Sequence, residues 1–320
     1  MNVAYSCNDY YIPQTGISLI SLFENNRDVD SIVIYLISKG VNESNKAILN
    51  NICSKYGREL KVIEFDDIAY DLKLSDTGRH IATVYTKVFF PRIEVVDKMI
   101  YFDSDTVIVG HLQELWDMPL DDVYMGVVET LPTKFYKELG LPKGAPFFND
   151  GMAICNVDYC RKHDLIGQVI KVVDEYGGNP PTLSEGALNK VCYGKVKYIS
   201  PRYNLMAGLL YLCSLDARYM SHIYHYYSEE ELKDSCQHPV MIHYLTAFYN
   251  RPWFKGCTHP YKDDYNKYKA ISPWKDEPLK ENELPRRIKW IDKCYRLFGL
   301  RNTERLRRVL TFYYYTKRFV

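Results

Sequence analysis

The sequence has no run of the roughly 18 apolar residues that a membrane-spanning helix needs, which argues against an integral helical membrane protein. It shows no leader pattern either, since Met1 opens straight onto the strand-like Val3-Ala4-Tyr5-Ser6. Nine cysteines are present, but none form a C-x-x-C pair and their spacing fits no zinc or disulfide framework. The expectation is a reducing, cytoplasmic protein. Internal repeats, low-complexity tracts and nucleic-acid fold motifs are also missing. Residues 6–16 lack the glycine-rich loop with a basic residue that nucleotidyltransferases on similar α/β domains usually carry. Tryptophan is sparse at 4 residues, whereas tyrosine reaches 29 and brings amphipathic rings suited to sugar, base or interface contacts.

Charge is nearly balanced at +1, but unevenly placed. Leu284 to Val320 holds 11 Lys/Arg against 2 Asp/Glu, a balance of +9 that leaves −8 for residues 1–283. Such an end suits an anionic partner. Its Trp290, Tyr295, Leu297, Phe298 and Phe312–Tyr315 suit an interfacial helix on an anionic membrane surface, or a solvated helix packed on the domain. No nucleic-acid partner is expected.

The first third of the chain alternates strand and helix. Strands are expected at 3–6, 31–38 and 60–65, with helices over Ile12 to Phe23 and from Asn42 to Tyr56. This pattern predicts parallel β-α-β units, with ligands beyond the C-terminal strand ends. A helix is expected over His80 to Glu94, strands at 99–102, after Asp105, at 123–128 and at 195–199, and helices over 165–176 and 184–191. The pattern weakens beyond Ala207 until Val240-Met241-Ile242-His243-Tyr244, and Pro273 to Pro285 reads as a linker.

The most informative stretch is Met99 to Val109. An apolar run ends at Asp103-Ser104-Asp105, and a second β-branched run follows. Residues i and i+2 of an extended chain point the same way, so both carboxylates face one spot. Hard oxygen ligands suit a divalent cation, and a cation suits a diphosphate. Taken alone, the pair equally fits a polar strand end that caps a turn.

The chain resembles the retaining glycosyltransferases of family 8, the group of glycogenin and the bacterial lipooligosaccharide and lipopolysaccharide α-galactosyl- and α-glucosyltransferases. The resemblance lies in the order of Asn8-Asp9-Tyr10-Tyr11, Tyr85-Thr86-Lys87, Phe102-Asp103-Ser104-Asp105, Phe148-Asn149-Asp150-Gly151, Ala187-Leu188-Asn189, Tyr203-Asn204, and Ile242-His243-Tyr244 followed by Arg251-Pro252-Trp253. It implies a GT-A nucleotide-diphospho-sugar transferase fold over residues 1–275, α/β with a mixed, mainly parallel central sheet. Residues 276–320 would be a basic, aromatic, helical C-terminal tail. It also implies UDP-glucose or UDP-galactose as donor, Mn2+ (or Mg2+) as cofactor, and a glycan or lipid-linked acceptor. The reaction would retain anomeric configuration, at the cytoplasmic face of the inner membrane.

Carried over residue by residue, Asp103 and Asp105 match the family's metal-binding Asp-x-Asp, and His243 its third ligand. A His–carboxylate mixture favours Mn2+ over Mg2+ because imidazole is the softer ligand. Lys87 and Arg251 match positions that neutralise the donor phosphates or touch the sugar. Tyr11 is expected to stack on uracil, with Asn8 pairing to the base and Ser104 near the ribose. Asn149, Asp150 and Gly151 match the turn that touches the sugar hydroxyls, and Glu129 an acidic position near acceptor or sugar. The departure is Ser184-Glu185-Gly186. Most relatives have Gln where Glu185 stands, beside the anomeric carbon. Glu185 is expected to stabilise a front-face displacement, although a carboxylate can also serve as nucleophile. A fold-retaining protein that binds nucleotide sugars without turnover remains open.

Overall fold

The computed structural model describes residues 1–75, 82–131, 133–206, 224–245 and 249–281, with a few positions between 289 and 302. Most of the basic tail, and residues 207–223 of the weakly patterned stretch, lie outside these described residues.

Ten strands are found among the described residues: β1 (Asn2–Cys7), β2 (Val33–Ser38), β3 (Glu59–Glu64), β4 (Lys98–Phe102), β5 (Thr106–Ile108), β6 (Met125–Thr130), β7 (Phe147–Asn156), β8 (Val196–Tyr198), β9 (Leu205–Met206) and β10 (Met241–His243). Seven of them form one sheet in the order β3-β2-β1-β4-β7-β6-β8. All neighbours in it are parallel except those of β7, which runs antiparallel to β4 and β6. The sheet is therefore mixed and mainly parallel, as expected. Strand order reverses between β1 and β4, and a crevice opens there beyond the carboxyl ends of the strands. Antiparallel β7 brings its first residues to that same end.

A second sheet, β5-β10-β9, lies on the other side of helix α1 (Ile12–Glu24). That helix buries eleven of its residues, including Thr15, Ser18 and Ser21. A helix covered all round needs partners for its polar side chains. Ser18 Oγ meets Tyr5 Oη at 3.0 Å on β1 and Thr106 Oγ1 at 3.2 Å on β5. Ser21 Oγ accepts from Ile108 N–H at 2.9 Å. These hydroxyls stitch the two sheets together through one helix.

Three segments and one cysteine differ from the sequence expectation. The helix expected over His80 to Glu94 is a 3-10 segment at Ala82–Arg92, with residues 80–81 outside the described set. Pro91 inside it removes a donor that an α-helix would use. Residues 147–156, expected as loop then strand, are strand throughout. Residues 273–281, which look like a linker, are packed. Trp274 is buried against Gly16, and Lys280 pairs with Phe254 through backbone bonds to Trp253 and Lys255. Among the described residues Cys236 is disulfide-bonded, against the expectation of no disulfide framework. No helix among the described residues is long and apolar enough to cross a membrane.

Candidate active site

β4 delivers Asp103 and the following turn delivers Asp105, both at the crevice mouth. β10 delivers His243 from 138 residues further on, because its antiparallel register sets His243 opposite Thr106. One ligand atom from each of Asp103, Asp105 and His243 lies within 4.8 Å of the others. His243 is fully buried, and its Nε2 lies 3.1 Å from Asp105 Oδ1 and 3.8 Å from Asp103 Oδ2. Asp103 is fixed by two partners: its amide donates to Gly151 O at 2.8 Å, and Tyr101 Oη donates to its Oδ1 at 2.7 Å.

The charges here do not balance locally. Burial raises the Asp103 carboxyl, Lys87 offsets part of this, and Asp105 adds to the rise. Burial acts the same way on Asp105, but His243 and Arg251 outweigh it and hold that carboxyl below the usual range. Burial pushes His243 down, yet the two carboxylates prevail and raise it. A crowded Asp-Asp-His set with one acid poorly compensated fits a divalent cation. Gly151 is required for this crowding, since a Cβ there would lie 2.3 Å from His243 Cε1 and 2.6 Å from Asp103 Oδ2.

Beside the acids is a hollow of about 220 Å³, lined by Asn8, Tyr11, Thr83, Ser104, Asp105 and Arg251 among others. Arg251 donates to Asp105 Oδ2 at 2.7 Å and to Tyr11 Oη at 3.3 Å. Ser104 is buried, donating to Ser6 O at 3.0 Å and accepting from Thr15 Oγ1 at 2.9 Å. Asn8 caps the 3-10 turn Asp9–Tyr11 by accepting from Tyr10 N–H at 3.1 Å. One lone pair of its amide oxygen is thereby used and the other is left.

On the far side of the acids is a second cluster. Lys87 is almost wholly buried and pairs with Asp150 at 2.8 Å, over the ring of Tyr101. Ser184 Oγ donates to the same Asp150 oxygen at 2.6 Å. Helix α2 (Ser184–Val191) begins here and puts Glu185 in its first turn. The backbone before it is strained, with Thr182 and Leu183 both at φ 56°. Asn149 Nδ2 donates to Glu185 Oε2 at 2.9 Å. Burial first, and then the charge of Asp150, push Glu185 up to about 8.

Every residue singled out from the sequence for metal, donor or sugar contact thus lines one end of the sheet, with Lys87 and Arg251 both engaged by acids of the site. Glu129 is different. It is fully buried at the end of β6 and accepts from the amides of His225 and Tyr226 at 3.0 and 3.2 Å, while His225 Nδ1 lies 2.6 Å away. It anchors segment 224–227. Asn204, part of the Tyr203-Asn204 motif but given no role from the sequence, lies buried between His243 and Asn149.

The model of glycosyl transferase family 8 matches residues 2–257. The chain belongs to that family. It is 22% identical over 281 residues to General stress protein A of Bacillus subtilis, covering 86% of this chain and 94% of that protein. Lipopolysaccharide 1,2-glucosyltransferase of Escherichia coli is 22% identical over 290 residues, at 88% and 81% coverage. Among solved structures, the galactosyltransferase LgtC in complex with donor and acceptor sugar analogs superposes with a TM-score of 0.71 at 19% identity, covering 91% of this chain and 99% of that one. The fold is the GT-A glycosyltransferase fold, and the chain is a family 8 glycosyltransferase.

Proposed function

We propose that this glycosyltransferase moves glucose or galactose from a UDP-sugar to a hydroxyl of a glycan or glycolipid, with retention and with Mn2+. The observation that carries this reading is the convergence of Asp103, Asp105 and His243 beside the Asn8–Tyr11 hollow. Those three residues would hold the metal, which would supply positive charge against the negative charge developing on the departing UDP. The relatives named above include a lipopolysaccharide glucosyltransferase and a galactosyltransferase, which supports a hexose donor and a glycolipid-type acceptor.

The protein's own groups divide the work. Tyr11 and Asn8 face the base, and Ser104 borders the ribose. Arg251 is held on Asp105 and Tyr11, where its guanidinium meets a diphosphate without first being ordered. Lys87 neutralises Asp150, so fewer bare acids surround the sugar. Glu185 keeps its proton below about 8. At neutral pH its side chain is uncharged, hydrogen-bonded by Asn149, and close in shape to the Gln expected there. An uncharged acid is a poor nucleophile, so this state supports front-face displacement with Glu185 as a polar stabiliser. Mass spectrometry after incubation with donor alone should find no glycosylated Glu185 peptide; a trapped glycosyl ester would overturn the displacement reading. A thermal-shift panel of UDP-sugars with Mn2+ should show stabilisation by UDP-glucose or UDP-galactose. Equal shifts with and without metal would count against it.

A further inference from the structure

A chain of amide hydrogen bonds joins the candidate metal ligand to the candidate sugar-site acid. His243 Nδ1 meets Asn204 Oδ1 at 3.0 Å. Asn204 Nδ2 donates to Asn149 Oδ1 at 3.0 Å, and Asn149 Nδ2 donates to Glu185 Oε2 at 2.9 Å. A side-chain amide can be turned end for end, so such a chain has two possible directions. A backbone group decides between them. Gly151 N–H reaches Asn149 Oδ1 at 3.1 Å, and a backbone N–H can only donate. The atom of Asn149 at that point must be oxygen. Asn204 must then turn its NH2 to Asn149 and its oxygen to His243, so the proton of the imidazole sits on Nδ1. Nε2 is left as the nitrogen facing Asp103 and Asp105. At the other end, Asn149 has only its NH2 left to offer Glu185.

We propose that Asn204 is a positioning residue that couples the two halves of the site, with the Gly151 amide setting its direction. Through it, one glycine N–H fixes which nitrogen of His243 faces the metal position and which oxygen of Glu185 accepts. Asn204 is fully buried, at the 3-10 turn that leads into β9, and β9 pairs with β10 so that His243 lies opposite Met206. The sheet β5-β10-β9 thereby sets both the ligand and the residue that orients it. This inference rests on the metal-dependent reading of the site.

Two substitutions separate the arms. Asn204→Asp keeps an acceptor for His243 Nδ1–H but removes the donor to Asn149. Asn204→Ala removes both. Mn2+ affinity, measured by electron paramagnetic resonance without donor, should fall about 10–100-fold in Asn204→Ala, the usual effect of losing a residue that orients a metal ligand. Asn204→Asp should hold wild-type Mn2+ affinity or exceed it, yet lose UDP-sugar turnover. A third readout needs no variant. In 15N-histidine-labelled wild type with Zn2+ as a diamagnetic probe, His243 should carry its proton on Nδ1. If His243 carries it on Nε2, or if both variants bind Mn2+ as wild type does, the coupling role of Asn204 is refuted. Wild type that binds no Mn2+ at all would remove the metal reading as well, which distinguishes the two failures.

Discussion

Glu185 is the residue whose chemistry the fold changes most. Its carboxyl is lifted from 4.5 to about 8 by burial and by Asp150. The sign follows directly: the folded chain binds a proton there that the unfolded chain has released. The site therefore contributes stability below about 4.5 that is lost as pH rises through 8. Glu185→Gln should remove this decline, which urea titrations at several pH values would detect. The same variant should keep sugar transfer and flatten any alkaline limb near pH 8; abolished transfer would favour the nucleophile. Lys87 makes a second point at this scale. It is buried with Asp150 and Val84 O as partners, so Lys87→Met leaves an uncompensated acid and should cost about 3–5 kcal/mol. The double variant with Asp150→Asn should recover most of that loss in chemical denaturation. None of this pairing was legible in the sequence. Lys87 and Asp150 are 63 positions apart, and neither residue type says whether its partner will be a phosphate or an acid.

At the scale of elements, what could be read was what periodicity and strand ends reveal. The Asp103-x-Asp105 pair ends a buried strand, and that pattern announced its place at the crevice. The third ligand needed the β5–β10 pairing, which no local pattern encodes. Helix Glu229–Gln237 was missed because its inward face is little more than Leu232 and Ser235. A better signal was available in Ser228 with Glu231 three residues on, the pattern of an N-terminal cap, and Ser228 does accept from Glu231 N–H. Helix Lys262–Lys269 is equally polar, burying only Tyr265 and Tyr268. The anchoring role of Glu129 was not legible, because its backbone partners come from a segment almost one hundred residues away. That anchoring predicts the behaviour of Glu129→Ala. Hydrogen exchange at the amides of His225 and Tyr226 should speed up sharply, while exchange in β1 and β4 stays slow. Unchanged protection at 225–226 would mean that the carboxylate does not hold the segment.

Across the whole molecule, two sheets clasp one helix and leave their functional ends at a common mouth. The larger sheet brings Asn8, Asp103 and Gly151 there, and the smaller one brings His243 and Asn204. The packed body also runs past the family-matched residues, since Trp274 fills the space above Gly16 and residues 253–255 bind Lys280. Trp274→Ala should therefore cost about 3–5 kcal/mol in urea denaturation, as for other buried large-to-small changes. All of this serves a site whose defining claim is metal-dependent donor chemistry. The most direct test is UDP release from UDP-glucose and UDP-galactose by the 320-residue chain, with Mn2+ or with EDTA, beside Asp103→Asn. The expected result is release that requires Mn2+, stops with EDTA, returns when Mn2+ is restored, and is absent from Asp103→Asn. Release indifferent to EDTA, or undiminished in Asp103→Asn, would contradict it.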